Sequence, residues 1–170
     1  LREVALTFDS NLTPYMIQEL RSHRVASFDD VAAITELIRL HVPATFFLSG
    51  LWMLQYPQQS RALAGVPFFE LGSHAYSHRA FAPHCYRLGT LPPAQMVKDI
   101  EQSERTLARF TTRPSRLFRF PGGCYGAAGL HAAKAANVQV VQYDVASGDA
   151  FGTSVSNIVN HTLRSTRDGS

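Results

Sequence analysis

Short apolar runs of strand length alternate along this chain with longer stretches whose apolar residues recur about every 3.6 positions. Glu3-Val4-Ala5-Leu6-Thr7-Phe8-Asp9 reads as a buried first strand ending in an acid. Asp29 and Asp30 offer an N-cap to a helix carrying Val31, Ile34, Leu37 and Ile38 on one side. Pro43 to Leu48 is a second strand, stopped by Ser49-Gly50. A helical stretch from Leu51 to Leu63, interrupted near Pro57, leads to a third strand over Val66 to Leu71. Residues 80–92, with Pro83, Cys85, Gly89 and Pro92, form a long functional loop. Pro93 then opens a helix to Phe110, with Met96, Val97, Ile100, Leu107 and Phe110 inward. Leu117 to Phe120 is a fourth strand, ending at Pro121-Gly122-Gly123. A helix of small residues, Ala127 to Ala136, stops at Asn137, and Val138 to Asp144 is a fifth strand. The last helix carries Val155, Ile158, Val159 and Leu163 before the turn Asp168-Gly169-Ser170.

Strands alternating with helices predict an α/β fold around a parallel sheet with covered faces. No repeat or linker breaks the chain, so residues 1–170 read as one domain. The alternation stops on a helix and a turn, which predicts a chain truncated before a final strand.

Composition narrows the function. With 45% hydrophobic and 17% charged residues, this is ordinary globular material. The net charge of +3 comes from scattered Lys and Arg with no basic run, which argues against a nucleic-acid partner. No run of apolar residues is long enough to span a membrane, and no signal-peptide pattern opens the chain.

The chemistry gathers at strand ends. His74 and His78, four residues apart, are expected on one face of a helical turn, within reach of one metal ion. The first strand ends in Asp9, Ser10 and Asn11, the fourth in Arg119 and a Gly-Gly turn, the fifth in Asp144 and then Asp149. In a parallel α/β sheet these ends share one rim, where such folds place their chemistry. Cys85 and Cys124 lie in loops on that rim. In an oxidising compartment a disulfide between them stabilises by roughly 4 kcal/mol on the chain-entropy model. In a reducing one they stay free thiols.

In this order the residues resemble the polysaccharide deacetylase family, the NodB-homology domains of carbohydrate esterase family 4. Thr7-Phe8-Asp9 matches the family's first motif, TFDD, and His74-Ala75-Tyr76-Ser77-His78 the second, HxxxH. Arg119-Phe120-Pro121-Gly122-Gly123 matches the third, RxPxG, and Asp149 the acid of the fourth. The resemblance implies a distorted (β/α) barrel whose C-terminal strand is missing here. It implies a hydrolase removing acetyl groups from an acetylated polysaccharide, an N-acetylglucosamine polymer first, outside the cell or in its envelope. His74 and His78 would hold a divalent ion, zinc by expectation or cobalt. Asp9 would be the general base, held ionised by Arg119. Gly122 would offer its N–H to the oxyanion, and Asp149 would tune an acid histidine. Tyr76 and Tyr125 would stack on the sugar, with Trp52, Tyr86 and Phe151 as further aromatic candidates.

Two departures stand out. Ser10 occupies the position of the family's second aspartate, a metal ligand, and the fifth motif with its acid histidine has no counterpart. Asn11 either completes the metal site through its amide oxygen or only caps the turn before Pro14. The departures keep two further readings open. One is a metal-independent amidohydrolase on the same scaffold, the other a catalytically inactive carbohydrate-binding relative.

Overall fold

The computed structural model describes residues 3–113 and 115–170. Five strands form one parallel sheet in chain order, β1 (Thr7–Ser10), β2 (Ala44–Leu48), β3 (Phe69–Ser73), β4 (Leu117–Phe118) and β5 (Gln139–Val140). Helices lie between and after them: α1 (Pro14–Arg21), α2 (Val31–Arg39), α3 (Gly50–Gln55), α4 (Pro57–Gly65), α5 (Pro93–Leu107), α6 (Ala127–Ala135) and α7 (Val155–Ser165). Each strand pairs with its successor, the winding of a β/α barrel rather than of a doubly wound sheet. The sheet is open between β1 and β5.

Strand alternation sorts the side chains. Phe8, Phe46, Leu48, Phe69 and Leu71 pack outward with Leu12, Trp52, Met53, Leu63 and Leu107 in one core cluster. A second cluster joins Ala75, Phe81, Met96, Ile100, Phe118, Phe120 and the alanines of α6. The opposite parity leaves Thr7, Asp9, Phe47 and Gly72 for the inner face. Gly72 is required there, because a Cβ would lie 2.7 Å from the Phe47 ring and 2.8 Å from the Leu117 carbonyl oxygen.

Several boundaries differ from the sequence reading. The first strand begins at Thr7, and Glu3 to Leu6 lie exposed beside the last residues of the chain. Gly169 donates to the Glu3 carbonyl and Ala5 to that of Ser170. Pro43 has no N–H with which to carry the β1–β2 ladder further back. The third strand is shifted to Phe69–Ser73, since Val66 still ends α4. The fifth shrinks to Gln139–Val140 because β4 offers only two residues before the chain turns at Pro121. Helix α1 was not predicted. Thr13 caps it by accepting the Met16 N–H, and Pro14 opens it. Asp30 caps α2 as expected, and Asn137, in the left-handed region, ends α6. Helix α7 forms with a Ser154 cap, but Val155, Val159 and Leu163 on it are exposed.

Phe118 packs edge-on against Phe81 and Phe120 at the centre of the second cluster. Phe118→Ala is expected to cost about 3–5 kcal/mol, read as a lowered urea midpoint with unchanged slope.

Candidate active site

The carboxyl ends of all five strands face one rim, and the chemistry-bearing residues assemble there around Arg119. Arg119 is only 2% exposed. Its Nη1 donates to Thr7 Oγ1 at 2.8 Å and to Asp9 Oδ1 at 2.9 Å, and its Nε to the Val141 carbonyl at 3.3 Å. The Phe47 ring lies 4.1 Å from its Cζ and the Tyr143 ring 5.3 Å. Asp9 is thus aimed by a charge-assisted bond while its side chain stays 29% exposed to the rim.

His74 follows β3 directly, and its N–H continues the ladder by donating to the Leu48 carbonyl at the end of β2. Its Nδ1 lies 2.8 Å from the Arg119 carbonyl oxygen, so that nitrogen carries the proton and Nε2 holds the lone pair. Nε2 lies 3.6 Å from Asp9 Oδ2. The His78 ring stands 4.8 Å from that of His74, centroid to centroid. Burial lowers the pKa of both imidazoles; the Asp9 carboxylate opposes this at His74, while at His78 the neighbouring His74 adds to it. Both shifts favour the neutral imidazole, the form that ligates metals.

The pair does not share a helical turn. Residues 74–78 are an irregular loop, with Ala75 and His78 at positive φ. Two devices hold it. Gly50 and Leu51, at the start of α3, donate to the carbonyls of Ala75 and Tyr76. From α5, buried Asp99 accepts the N–H of Tyr76 at 2.7 Å and of Ser77 at 3.4 Å. Ser49 ties the exits of β1 and β2 together, its Oγ accepting from Leu12 and Trp52.

The histidines fit two positions of a divalent cation. His74 keeps Nε2 unprotonated with its other nitrogen anchored on a carbonyl, the usual support of a ligating imidazole. His78 Nδ1 is buried without a hydrogen-bond partner. Among the described residues no group of three or more His, Cys, Asp or Glu side chains gathers there. Ser10 ends β1, and Asn11 lies half-buried one residue beyond.

The Pro121–Gly123 turn forms the facing wall. Gly122 has φ +62°, and a Cβ on it would come within 2.7 Å of Cys85 Sγ and 3.0 Å of the Tyr86 ring. The Cys85 and Cys124 sulfurs lie at bonding distance, with Cα atoms 6.0 Å apart, which fastens this turn to the 80–92 loop. Tyr76 covers Gly50. Tyr125, 43% exposed, stacks on Phe120. Asp149 sits apart in an exposed turn, Asp149–Phe151, its carboxylate bonded by the Ser147 hydroxyl.

Sequence reasoning assigned no role to Thr7, Phe47, Asp99 or Tyr143. Thr7 was legible in principle, since it shares strand parity with Asp9. Asp99 also left a trace, as the lone acid on the buried stripe of α5 with Met96, Ile100 and Ser103. Phe47 and Tyr143 left none.

The profile of the polysaccharide deacetylase family matches residues 2–141. A peptidoglycan-N-acetylglucosamine deacetylase of Bacillus cereus is 27% identical over 99% of this chain and 54% of its own length. The chain thus spans about half of that curated relative. Among solved structures, the Bc1960 peptidoglycan N-acetylglucosamine deacetylase, in complex with an N-hydroxybenzamide, superposes with a TM-score of 0.70 at 27% identity. The match covers 99% of this chain and 69% of that one. A carbohydrate esterase family 4 pseudoenzyme from Bacillus anthracis shares the fold, with a TM-score of 0.72 at 18% identity over 99% of this chain and 53% of its own. This chain belongs to the polysaccharide deacetylase family, and its open parallel sheet is that family's distorted barrel.

Asp99 is expected to position the histidine loop. Asp99→Ala leaves two N–H groups without their acceptor and should cost about 1–3 kcal/mol, measured by urea unfolding. The His74 and His78 ring signals should broaden in NMR spectra of the same variant. Asp99→Asn, which keeps a carbonyl oxygen, should recover most of both.

Proposed function

We propose that this protein is a hydrolase that removes acetyl groups from an acetylated polysaccharide, with an N-acetylglucosamine polymer of the cell wall as the first candidate. The observation that carries the reading is the Arg119 clamp. It orients the Asp9 carboxyl group 3.6 Å from the free nitrogen of buried His74. The likeness to peptidoglycan-N-acetylglucosamine deacetylases supports the substrate class. It also supports action in the cell envelope or outside the cell, as does the Cys85–Cys124 pairing.

In this reading His74 and His78 hold a divalent cation, zinc first, with Asn11 as the third protein ligand in place of the aspartate that Ser10 replaces. Such an ion supplies Lewis acidity to an acyl oxygen and lowers the pKa of water. Asp9 takes the proton of the attacking water, and Arg119 keeps Asp9 from turning away. The Gly122 N–H faces the oxygen that gains charge in the tetrahedral intermediate. Tyr76 and Tyr125 border the groove in which the sugar lies, and Asp149 is the outlying acid. Residues 1–170 act as one domain in this scheme.

Ser10 favours a second reading, an inactive relative that binds glycan without turnover, because a hydroxyl is a poor substitute for a carboxylate ligand. Acetate release from chitooligosaccharides and from peptidoglycan, with zinc or cobalt supplied, separates the readings. Release that Asp9→Asn lowers at least about 100-fold supports the deacetylase. His74→Ala should abolish stoichiometric zinc binding, seen by calorimetry, while the far-UV spectrum stays unchanged. Release that survives exhaustive chelation points to the metal-independent amidohydrolase. Glycan binding with no release from any acetylated polymer sinks the deacetylase reading.

A further inference from the structure

Tyr143 lies just beyond β5 and belongs to no pairing of the sheet. Its ring stands 5.3 Å from the Arg119 guanidinium, and its hydroxyl reaches the Pro121–Gly123 turn. The phenolic oxygen would lie only 2.7 Å from a Cβ built on Gly123, whose φ is +68°. Glycine at 123 thus serves two needs, the turn and the approach of this hydroxyl. The neighbouring Gln142 fixes the same turn, its amide donating to the Gly123 carbonyl at 3.1 Å. Two side chains from the end of one strand therefore converge on the backbone that carries Gly122.

The hydroxyl has no partner among the described residues, and the residue is 40% exposed. Beside it the buried Arg119 Nη2 also lacks an acceptor. The buried Nη2 calls for an acceptor, and the solvent-facing phenol beside it can donate to a ligand in the same mouth. Burial, then the Asp9 carboxylate and Tyr86, raise the pKa of Tyr143 above that of a free phenol against the opposing Arg119 charge, so the O–H remains a donor.

We infer that Tyr143 is a catalytic hydrogen-bond donor, its phenolic O–H pointing to the acyl oxygen that the Gly122 N–H also serves. The inference rests on the hydrolase reading and deepens it by adding a second donor to the oxyanion. The proton stays on the phenol throughout; only the hydrogen bond strengthens as the oxygen gains charge. The ligand class is a small acyl or carboxylate oxygen, of which the product acetate is the simplest member.

Tyr143→Phe deletes the O–H and keeps the ring over Arg119. Deletion of one preorganised oxyanion donor should lower kcat on the order of 10²-fold and leave KM within about threefold, the split that donation in the transition state demands. Acetate titration followed by NMR provides a readout free of turnover. The variant should bind acetate about tenfold more weakly, as expected for one lost hydrogen bond. Where the wild type turns over, an unchanged kcat in Tyr143→Phe overturns the inference, because packing on Arg119 alone would survive the change. If the wild type releases no acetate yet binds it, and Tyr143→Phe weakens that binding, the hydrolase reading falls while the donor role stands. A wild type that neither releases nor binds acetate, or an inactive one whose acetate affinity Tyr143→Phe leaves unchanged, overturns it as well.

Discussion

A single guanidinium organises the rim of this barrel. Arg119 is buried between Phe47 and the carboxyl ends of β1 and β5, and its contacts with Thr7, Asp9, Phe47 and Val141 come from three parts of the chain. A buried arginine without a carboxylate would be strongly destabilising, on the order of 3–5 kcal/mol for a broken pair. Asp9 is therefore a structural necessity, and its orientation follows from the burial of its partner. The Arg119 backbone adds a second function, because its carbonyl sets the tautomer of His74. Side chain and main chain of one residue thus prepare an acid and an imidazole that face each other across 3.6 Å.

The rest of the site is held by its neighbours rather than by its own secondary structure. The histidine loop has no helix to stiffen it. Carbonyls at its middle are bound by the first N–H groups of α3, and N–H groups by Asp99 of α5. The Gly-Gly turn opposite is fastened at one side by the Cys85–Cys124 pairing and at the other by Gln142. Rigid supports of this kind hold the side chains and backbone of the rim within a narrow range of positions.

Much of the architecture was legible beforehand because it depends on periodicity. Helices α2, α5 and α6, the break at Pro57 and the five strands all carry strong local signals of period, cap or proline. Errors fell where a neighbour decides the outcome. Strand β1 starts late because its partner is preceded by Pro43, and β5 is short because β4 is. The histidine pair was found by its spacing but assigned the wrong local geometry. A four-residue interval suits a helix, yet two left-handed residues produce the same proximity in a loop.

The sequence by itself determined the parallel α/β plan, the rim on which Asp9, His74, His78, Arg119 and Gly122 meet, and the family to which they point. These follow from local patterns and from motif order, which are one-dimensional properties. Only the tertiary structure decided that Thr7 and Phe47 complete the arginine clamp, that Asp99 holds the histidine loop, and that Tyr143 approaches the Gly-Gly turn. Each of those contacts joins residues at least 20 positions apart. Such pairs meet through burial and strand parity after the sheet has formed, and no local period records them.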